Sequence, residues 1–167
     1  MNFIVAVTED WGIGIKGGLL LSIPEDMQFF RRKTMGAAVV MGQTTLESFP
    51  GGKPLRDRRN IVLSDDPNCE VPGATVVHSL EEARNVLRPF DKDKVFVIGG
   101  ASVYKLFMPF CQYAYITKMA IRPEADRYIP NLDELPEWSI DEESEEREYA
   151  GVKFKFLRYA NANVQPL

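Results

Sequence analysis

Short apolar runs recurring between stretches of helix length constrain this chain more than any other feature. Strand candidates fall at about 2–8, 37–41, 59–63, 73–78, 94–98, 112–119, 139–146 and 152–159, and helical patterns at 23–34, 43–47, 79–87 and 101–107. Strands that alternate with helices are joined by crossovers, and crossovers put helices on both faces of a mainly parallel sheet. The last two strand candidates are separated by only a short stretch ending Tyr149-Ala150-Gly151, too short for a crossover, so they form an antiparallel hairpin. The expected fold is therefore α/β: one domain spanning 1–167, a mainly parallel eight-stranded sheet with an antiparallel C-terminal strand, and about four helices on both faces. A chain of 167 residues suits one core of that kind.

Bulk properties exclude several function classes. With 45% hydrophobic and 26% charged residues the chain is not disordered. A net charge of -4 argues against a nucleic-acid partner, which needs a basic footprint. No apolar stretch approaches the roughly 18 residues of a membrane span. Met1 leads straight into Phe3-Ile4-Val5-Ala6-Val7 without a basic segment, which is not the pattern of a secretory signal. Cys69, Cys111 and the single His78 share no metal-ligand spacing, so no metal is expected. The expectation is a reduced, cytoplasmic protein, and with no feature suggesting an obligate partner, a monomer. Six acids in the eight residues Asp141 to Glu148 read as a solvated edge strand, with an acidic docking site as the alternative. Asn161 to Leu167 reads as a frayed end.

Ser22-Ile23-Pro24-Glu25 has the form of a capping box, with Ser22 as N-cap and Pro24 suited to the first turn. In the helix that follows, Asp26 and Phe30 are four residues apart and share a face, with Met27 beside them, on the side expected to face the core. The helix N-terminus favours ionised Asp26 and apolar surroundings favour the neutral form. Helix statistics alone would leave Asp26 as a surface acid of the first turn.

Gly12-Ile13-Gly14-Ile15-Lys16-Gly17 matches G-x-G-x-x-G after a strand. The next helix begins only near Ser22, and the following strand ends Val39-Val40-Met41-Gly42 without the acid a dinucleotide fingerprint requires. A flexible loop over a site explains these glycines better. Gly99-Gly100, after Val95-Phe96-Val97-Ile98 and before a helix, forms a strand-to-helix junction able to present bare N–H groups to phosphate, or simply a tight turn. Gly42-Gln43-Thr44-Thr45 forms another.

Taken in order, these pieces resemble the dihydrofolate reductase family across nearly the whole chain. They are Ile4-Val5-Ala6-Val7, Gly12-Ile13-Gly14, Ile23-Pro24-Glu25-Asp26-Met27 with Phe30-Arg31, and Val40-Met41-Gly42 with Thr45 and Glu47-Ser48. Further on come Pro54-Leu55, Arg58-Arg59-Asn60-Ile61-Val62-Leu63-Ser64, Val97-Ile98-Gly99-Gly100 with Val103-Tyr104, Ile116-Thr117, and Asp126 ahead of Pro130.

The resemblance implies reduction of 7,8-dihydrofolate by hydride transfer from NADPH C4 to pterin C6, with protonation at N5. Asp26 would grip the pterin through two oxygens, supported by the Thr117 hydroxyl. Ile4, Met27, Phe30, Phe49 and Leu55 would wall the pocket. Arg58 would take the substrate's α-carboxylate as a fork, with Lys53 and Arg31 adding looser attraction. The nicotinamide would lie against Ala6, Ile13 and Gly14, near Tyr104. Gly99-Gly100, a peptide typically cis in the family, would approach the pyrophosphate. Gly42, Thr45 and the residues Leu19, Leu63, Ser64, Ile98, Ala101 and Val103 would complete the cofactor groove.

Two departures stand out. Leu21 occupies a catalytic-loop position where the family often has Trp, and it lacks the indole N–H that could hold a water. Gln43, Asp65 and Ser102 stand where arginine or serine commonly meets the 2′-phosphate, leaving Thr44 and His78 to compensate; His78 also reads as a strand-end histidine with no role. The competing functions are a same-fold nicotinamide-dependent reductase of a ribosylated pyrimidine and a noncatalytic nucleotide-binding module. Arg58 and the Asp26–Phe30 face favour folate.

Overall fold

Alternation of side chains along each apolar run decides which face of the sheet it feeds. The computed structural model describes residues 1–167. Its strands are β1 (Asn2–Val7), β2 (Gly12–Gly14), β3 (Ala38–Gly42), β4 (Arg59–Leu63), β5 (Ala74–Val77), β6 (Val95–Gly99), β7 (Tyr113–Met119), β8 (Arg127–Tyr128), β9 (Trp138–Glu143), β10 (Arg147–Tyr149) and β11 (Val152–Asn161). Its helices are α1 (Pro24–Thr34), α2 (Gln43–Glu47), α3 (Leu80–Leu87) and α4 (Ala101–Phe107), with short 3-10 turns between elements. Phe3 and Val7 of β1, Val40 of β3 and Val97 of β6 enter the larger core, together with Ala83 and Leu87 of α3 and Val103 and Phe107 of α4. Ile4, Val39, Met41, Phe96 and Ile98 point the other way, to a second core shared with Leu46 of α2 and Phe29 and Phe30 of α1. Helices thus cover both faces.

The main sheet runs β10-β11-β7-β1-β6-β3-β4-β5, with β9 also on β11. Every neighbouring pair from β7 to β5 is parallel. Strand β11 is antiparallel to β7, and β9 and β10 are antiparallel to β11. Since β9 and β10 share the outermost place, the sheet has the eight positions expected. From β1 the chain steps out through β3, β4 and β5, then returns to insert β6 between β1 and β3. All six parallel strands therefore end on one edge, where an open α/β sheet forms its crevice.

Several local expectations change. Helix α1 is capped by Ile23 in extended geometry with no side-chain cap bond, so Ser22 does not close a capping box. Ile23 is buried against Met119 and Phe154, which sets the chain's entry angle and leaves Ser22 exposed. The strand expected over 139–146 is broken into β9 and β10 at Ser144, which pairs with Phe156 through its own N–H and its hydroxyl oxygen. The C-terminal end is not frayed: Ala162 N–H donates to Glu137, Gln165 N–H donates to Pro109, and Leu167 packs on the larger core. The two-residue strand β8, which pairs with β2, has too little apolar pattern to be read from sequence.

Candidate active site

Helix α1 runs from the C-terminal edge of the sheet toward its N-terminal edge, and its sheet-facing residues are Asp26, Phe29, Phe30 and Thr34, the i, i+3, i+4, i+8 pattern of one helix face. Thr117 of β7 sits opposite Ala6 of β1, and its hydroxyl donates to Asp26 Oδ1 at 2.6 Å. Asp26 is half-buried and Thr117 is buried. Burial pushes the Asp26 carboxyl above its ordinary value, a larger effect than the opposing Thr117 hydrogen bond. The balance that sequence leaves open is thus decided by desolvation. The Tyr104 hydroxyl, fully enclosed, donates to the Ile4 carbonyl at 2.8 Å; burial and the nearby Asp26 charge hold it protonated.

Phe30, Phe49 and Leu55 pack on the core that contains Ile4, Met41 and Ile98. Met27 does not turn inward with them. It is 50% exposed, because it lies about 100° around the helix from Asp26, on the rim of the cleft. Leu21 and Ala6 pack instead on Ile23, Met119 and Phe154. Leu19 is 70% exposed in the loop after β2, and Lys53 is also exposed. That loop is tied to the β8 segment: Lys16 N–H donates to Asp126 Oδ2 at 2.9 Å, and Asp126 N–H donates to Gly14 O at 3.0 Å.

At the other end of α1, Arg58 Nη1 donates to Thr34 Oγ1 at 3.1 Å and Arg58 Nε donates to Arg56 O at 2.9 Å. Partial burial and the neighbouring Arg31 depress the Arg58 guanidinium. The loop before β4 is held by buried Asn60, whose side chain accepts from Leu55 N–H and donates to the Leu55 and Arg58 carbonyls. Sequence reading passes over Thr34 and Asn60; a buried polar residue at a helix end or a strand start is the signal that would have found them. Asp26 and Thr34 are eight helical residues apart, about 12 Å at 1.5 Å per residue.

The residues expected around a dinucleotide gather on the strand-end edge. Gly42, Leu63 and Val77 lie in one row across β3, β4 and β5, with Gly99 opposite Met41. The Gly99-Gly100 peptide is cis. A Cβ on Gly42 would meet Val103 Cγ2 at 3.2 Å, and one on Gly99, whose φ is +124°, would meet the Tyr104 ring and hydroxyl at 3.4 Å. Ala101 is half-buried at the head of α4, Ser102 and Thr44 are exposed, and Thr45 Oγ1 lies 3.6 Å from where a Gly100 Cβ would stand. Ile13 packs on the larger core. Farther along, the Ser64 hydroxyl donates to Gln43 Oε1 at 2.6 Å, and Gln43 Nε2 donates to Glu47 at 3.0 Å. His78 Nδ1 meets the Ser64 carbonyl at 2.9 Å, so Nδ1 carries the proton and Nε2 is left free. Asp65 is exposed beside them. A depression of about 430 Å³ between Leu80, Arg84, Phe110 and Leu167 lies on the α3 side of the sheet, away from Asp26.

Fold and site together define a class: an open, mainly parallel α/β domain whose strand-end crevice joins a bare-backbone cradle to one sheltered carboxyl group. Comparison with known proteins narrows it. A family profile described as dihydrofolate reductase matches residues 1–161, and this chain belongs to the dihydrofolate reductase family. It is 33% identical to the dihydrofolate reductase of Bacillus subtilis over 98% of this chain and 95% of the relative. It is 38% identical to that of Schistosoma mansoni over 95% of each. A solved dihydrofolate reductase from Enterococcus faecalis, complexed with NADP(H) and RAB-propyl, superposes with a TM-score of 0.85 at 29% identity, covering 96% of this chain and 95% of that one. No helix here is long and apolar enough to cross a membrane.

Proposed function

We propose that this chain reduces 7,8-dihydrofolate to tetrahydrofolate with NADPH. The observation that carries the reading is the Asp26–Thr117 pair, a sheltered acid with a fixed hydroxyl donor beside the Gly99-Gly100 cradle. The residues present fit a dinucleotide. Gly42 and Gly99 keep side chains out of the strand-end edge, and Gln43, Ser64 and His78 offer hydrogen-bonding groups at its far end. Bound NADPH supplies a hydride from its nicotinamide C4 to pterin C6.

Asp26 accepts the pterin N3–H and 2-amino hydrogens, fixing ring orientation, while Thr117 holds Oδ1 in place. With its carboxyl above the ordinary value, Asp26 also assists protonation at N5, a water carrying the proton. Leu21 offers that water no hydrogen bond. Ile4, Phe30, Phe49 and Leu55, with Met27 at the rim, exclude other water around the ring. The span of about 12 Å along α1 suits a flat heterocycle joined through a benzoyl group to a glutamate. Arg58 takes that glutamate's α-carboxylate, with Arg31 and Lys53 adding charge. Ala6, Ile13, Gly14, Leu19 and Tyr104 would hold the nicotinamide, and Ile98, Ala101, Ser102 and Val103 the pyrophosphate. Thr44, Thr45, Leu63 and Asp65 would complete the ribose end.

The reading includes a cytoplasmic monomer with no nucleic-acid partner. Two free cysteines, one buried and one half-buried, and the net charge of -4 support it. The test is steady-state oxidation of NADPH and of NADH with dihydrofolate, beside the same assays with a ribosylated pyrimidine. Turnover of dihydrofolate with NADPH is expected. Turnover of the pyrimidine alone, or of neither substrate, overturns the proposal.

A further inference from the structure

Thr34 ends α1 with its side chain fully buried, and its hydroxyl is engaged twice. It donates to the Phe30 carbonyl at 2.8 Å, one turn back, and accepts from Arg58 Nη1 at 3.1 Å. The first bond fixes the direction of the hydroxyl lone pair. The second therefore receives the guanidinium at one angle, not over a range. Arg56 O holds Nε at 2.9 Å, and Asn60 pins the Arg58 backbone carbonyl at 3.1 Å. Asp57, whose φ of +62° turns the chain just before Arg58, is held by Gly36 N–H at 2.9 Å. Restrained at three points, Arg58 keeps Nη2 as its uncommitted end. Without the Thr34 contact, a long side chain beside another cation, Arg31, would swing toward solvent and lose the rotamer ordering that the fold now supplies in advance.

We propose that Thr34 is a positioning residue for substrate affinity: its buried hydroxyl aims the Arg58 guanidinium at the carboxylate end of the bound substrate. The inference rests on the reading of Arg58 as the tail-binding residue. It adds that the far end of α1, as well as the end carrying Asp26, belongs to the binding apparatus. One helix then measures the substrate, with the ring-gripping acid at its first turn and the support of the tail-gripping arginine at its last.

The test uses the full chain carrying Thr34→Val, Thr34→Ala, Thr34→Ser, Arg58→Ala or Thr34→Val with Arg58→Ala. Two substrates are compared: dihydrofolate, and the neutral carboxamide of 7,8-dihydropteroate, which keeps the ring and benzoyl groups and carries no carboxylate. Dissociation constants are measured by calorimetry alongside KM and kcat. Thr34→Val should raise KM and Kd for dihydrofolate roughly tenfold, the scale of one hydrogen bond to a charged group, with kcat little changed. The values for the dihydropteroate carboxamide should not move, and Thr34→Ser should restore those for dihydrofolate. The double variant should be no worse than Arg58→Ala alone, because the two residues act in series. Equal losses on both substrates, or additive losses in the double variant, would overturn the role of Thr34. Thr34→Ala carries the same expectations should valine fail to fold. If Arg58→Ala leaves dihydrofolate binding unchanged, the reading of Arg58 itself fails and the Thr34 proposal falls with it.

Discussion

Replacing Asp26 by Asn should make the protein more stable at neutral pH while disabling it. Burial raises the carboxyl's proton affinity above the ordinary 3.8, so the folded state holds the proton more tightly than the unfolded chain. The contribution of Asp26 to stability is then fully present below pH 3.8 and is lost as pH rises through the folded-state value. Above that window the fold carries an ionised group that it desolvates. Asn has the same shape, keeps an oxygen to accept from Thr117, and carries no charge. Each pH unit by which burial displaces the carboxyl corresponds to about 1.4 kcal/mol, and each kcal/mol raises Tm by roughly 2–4 °C in a chain of this length. Thermal melts from pH 4 to pH 8 should show the advantage of Asp26→Asn growing with pH. Turnover at neutral pH should fall by at least roughly 10²-fold, the scale of general acid–base assistance. An Asn variant less stable than its parent at pH 8, or an advantage independent of pH, would refute the reasoning; near-normal turnover would remove Asp26 from the chemistry.

Thr117→Val removes a donor that favours the charged form of Asp26, so the acid limb of kcat/KM should move to higher pH; an unmoved profile, or one displaced downward, contradicts the assignment. Gln43→Arg places a fixed positive charge at the proposed ribose end, where Gln43 is hydrogen-bonded to Ser64 and Glu47. It should tighten Kd for NADPH relative to NADH by roughly fivefold in titrations without substrate, and an unchanged ratio would place the 2′-phosphate elsewhere. Gly99→Ala puts a side chain at φ +124° against Tyr104 and should lower stability by about 1–3 kcal/mol. A urea midpoint equal to that of the parent would show that the edge yields.

The order of elements was legible because it depends on period and length. Phe3, Val5 and Val7 alternate with Ile4 and Ala6, and such runs have few alternatives to a strand feeding two cores. The i, i+4 spacing places Asp26 on the face of Phe30, but helix statistics alone leave it a surface acid, and the family resemblance is what singles it out. What escaped depends on contacts made across the chain. Whether Ser22 or Ile23 caps α1 is decided by Met119 and Phe154, nearly a hundred residues or more away. Strand β8 exists because Gly12 and Gly14 offer it pairing partners, not through any pattern of its own. Thr34 looks like an ordinary polar residue at a helix end, and only the approach of Arg58 from the loop before β4 gives it a task.

The net charge of -4 and an anionic substrate are reconciled by distance. Six acids lie between Asp141 and Glu148, on β9, β10 and the break between them, the outermost position of the sheet. Arg58 precedes β4, six strand positions away, roughly 29 Å at about 4.8 Å per strand. At physiological salt, exposed charges are screened beyond about 8 Å, so the acidic edge exerts little force at Arg58. Several of those acids are also engaged locally: Asp141 and Glu142 with Arg158, Glu143 with Lys155, and Glu146 with Lys153. On the proposed reading, the substrate's carboxylates meet the neighbourhood of Arg31 and Arg58. There the two cations are close enough for Arg31 to depress the Arg58 guanidinium. A carboxylate arriving between them relieves that repulsion as well as forming its own contacts, which favours an anion at the one part of this acidic protein where the reaction needs it.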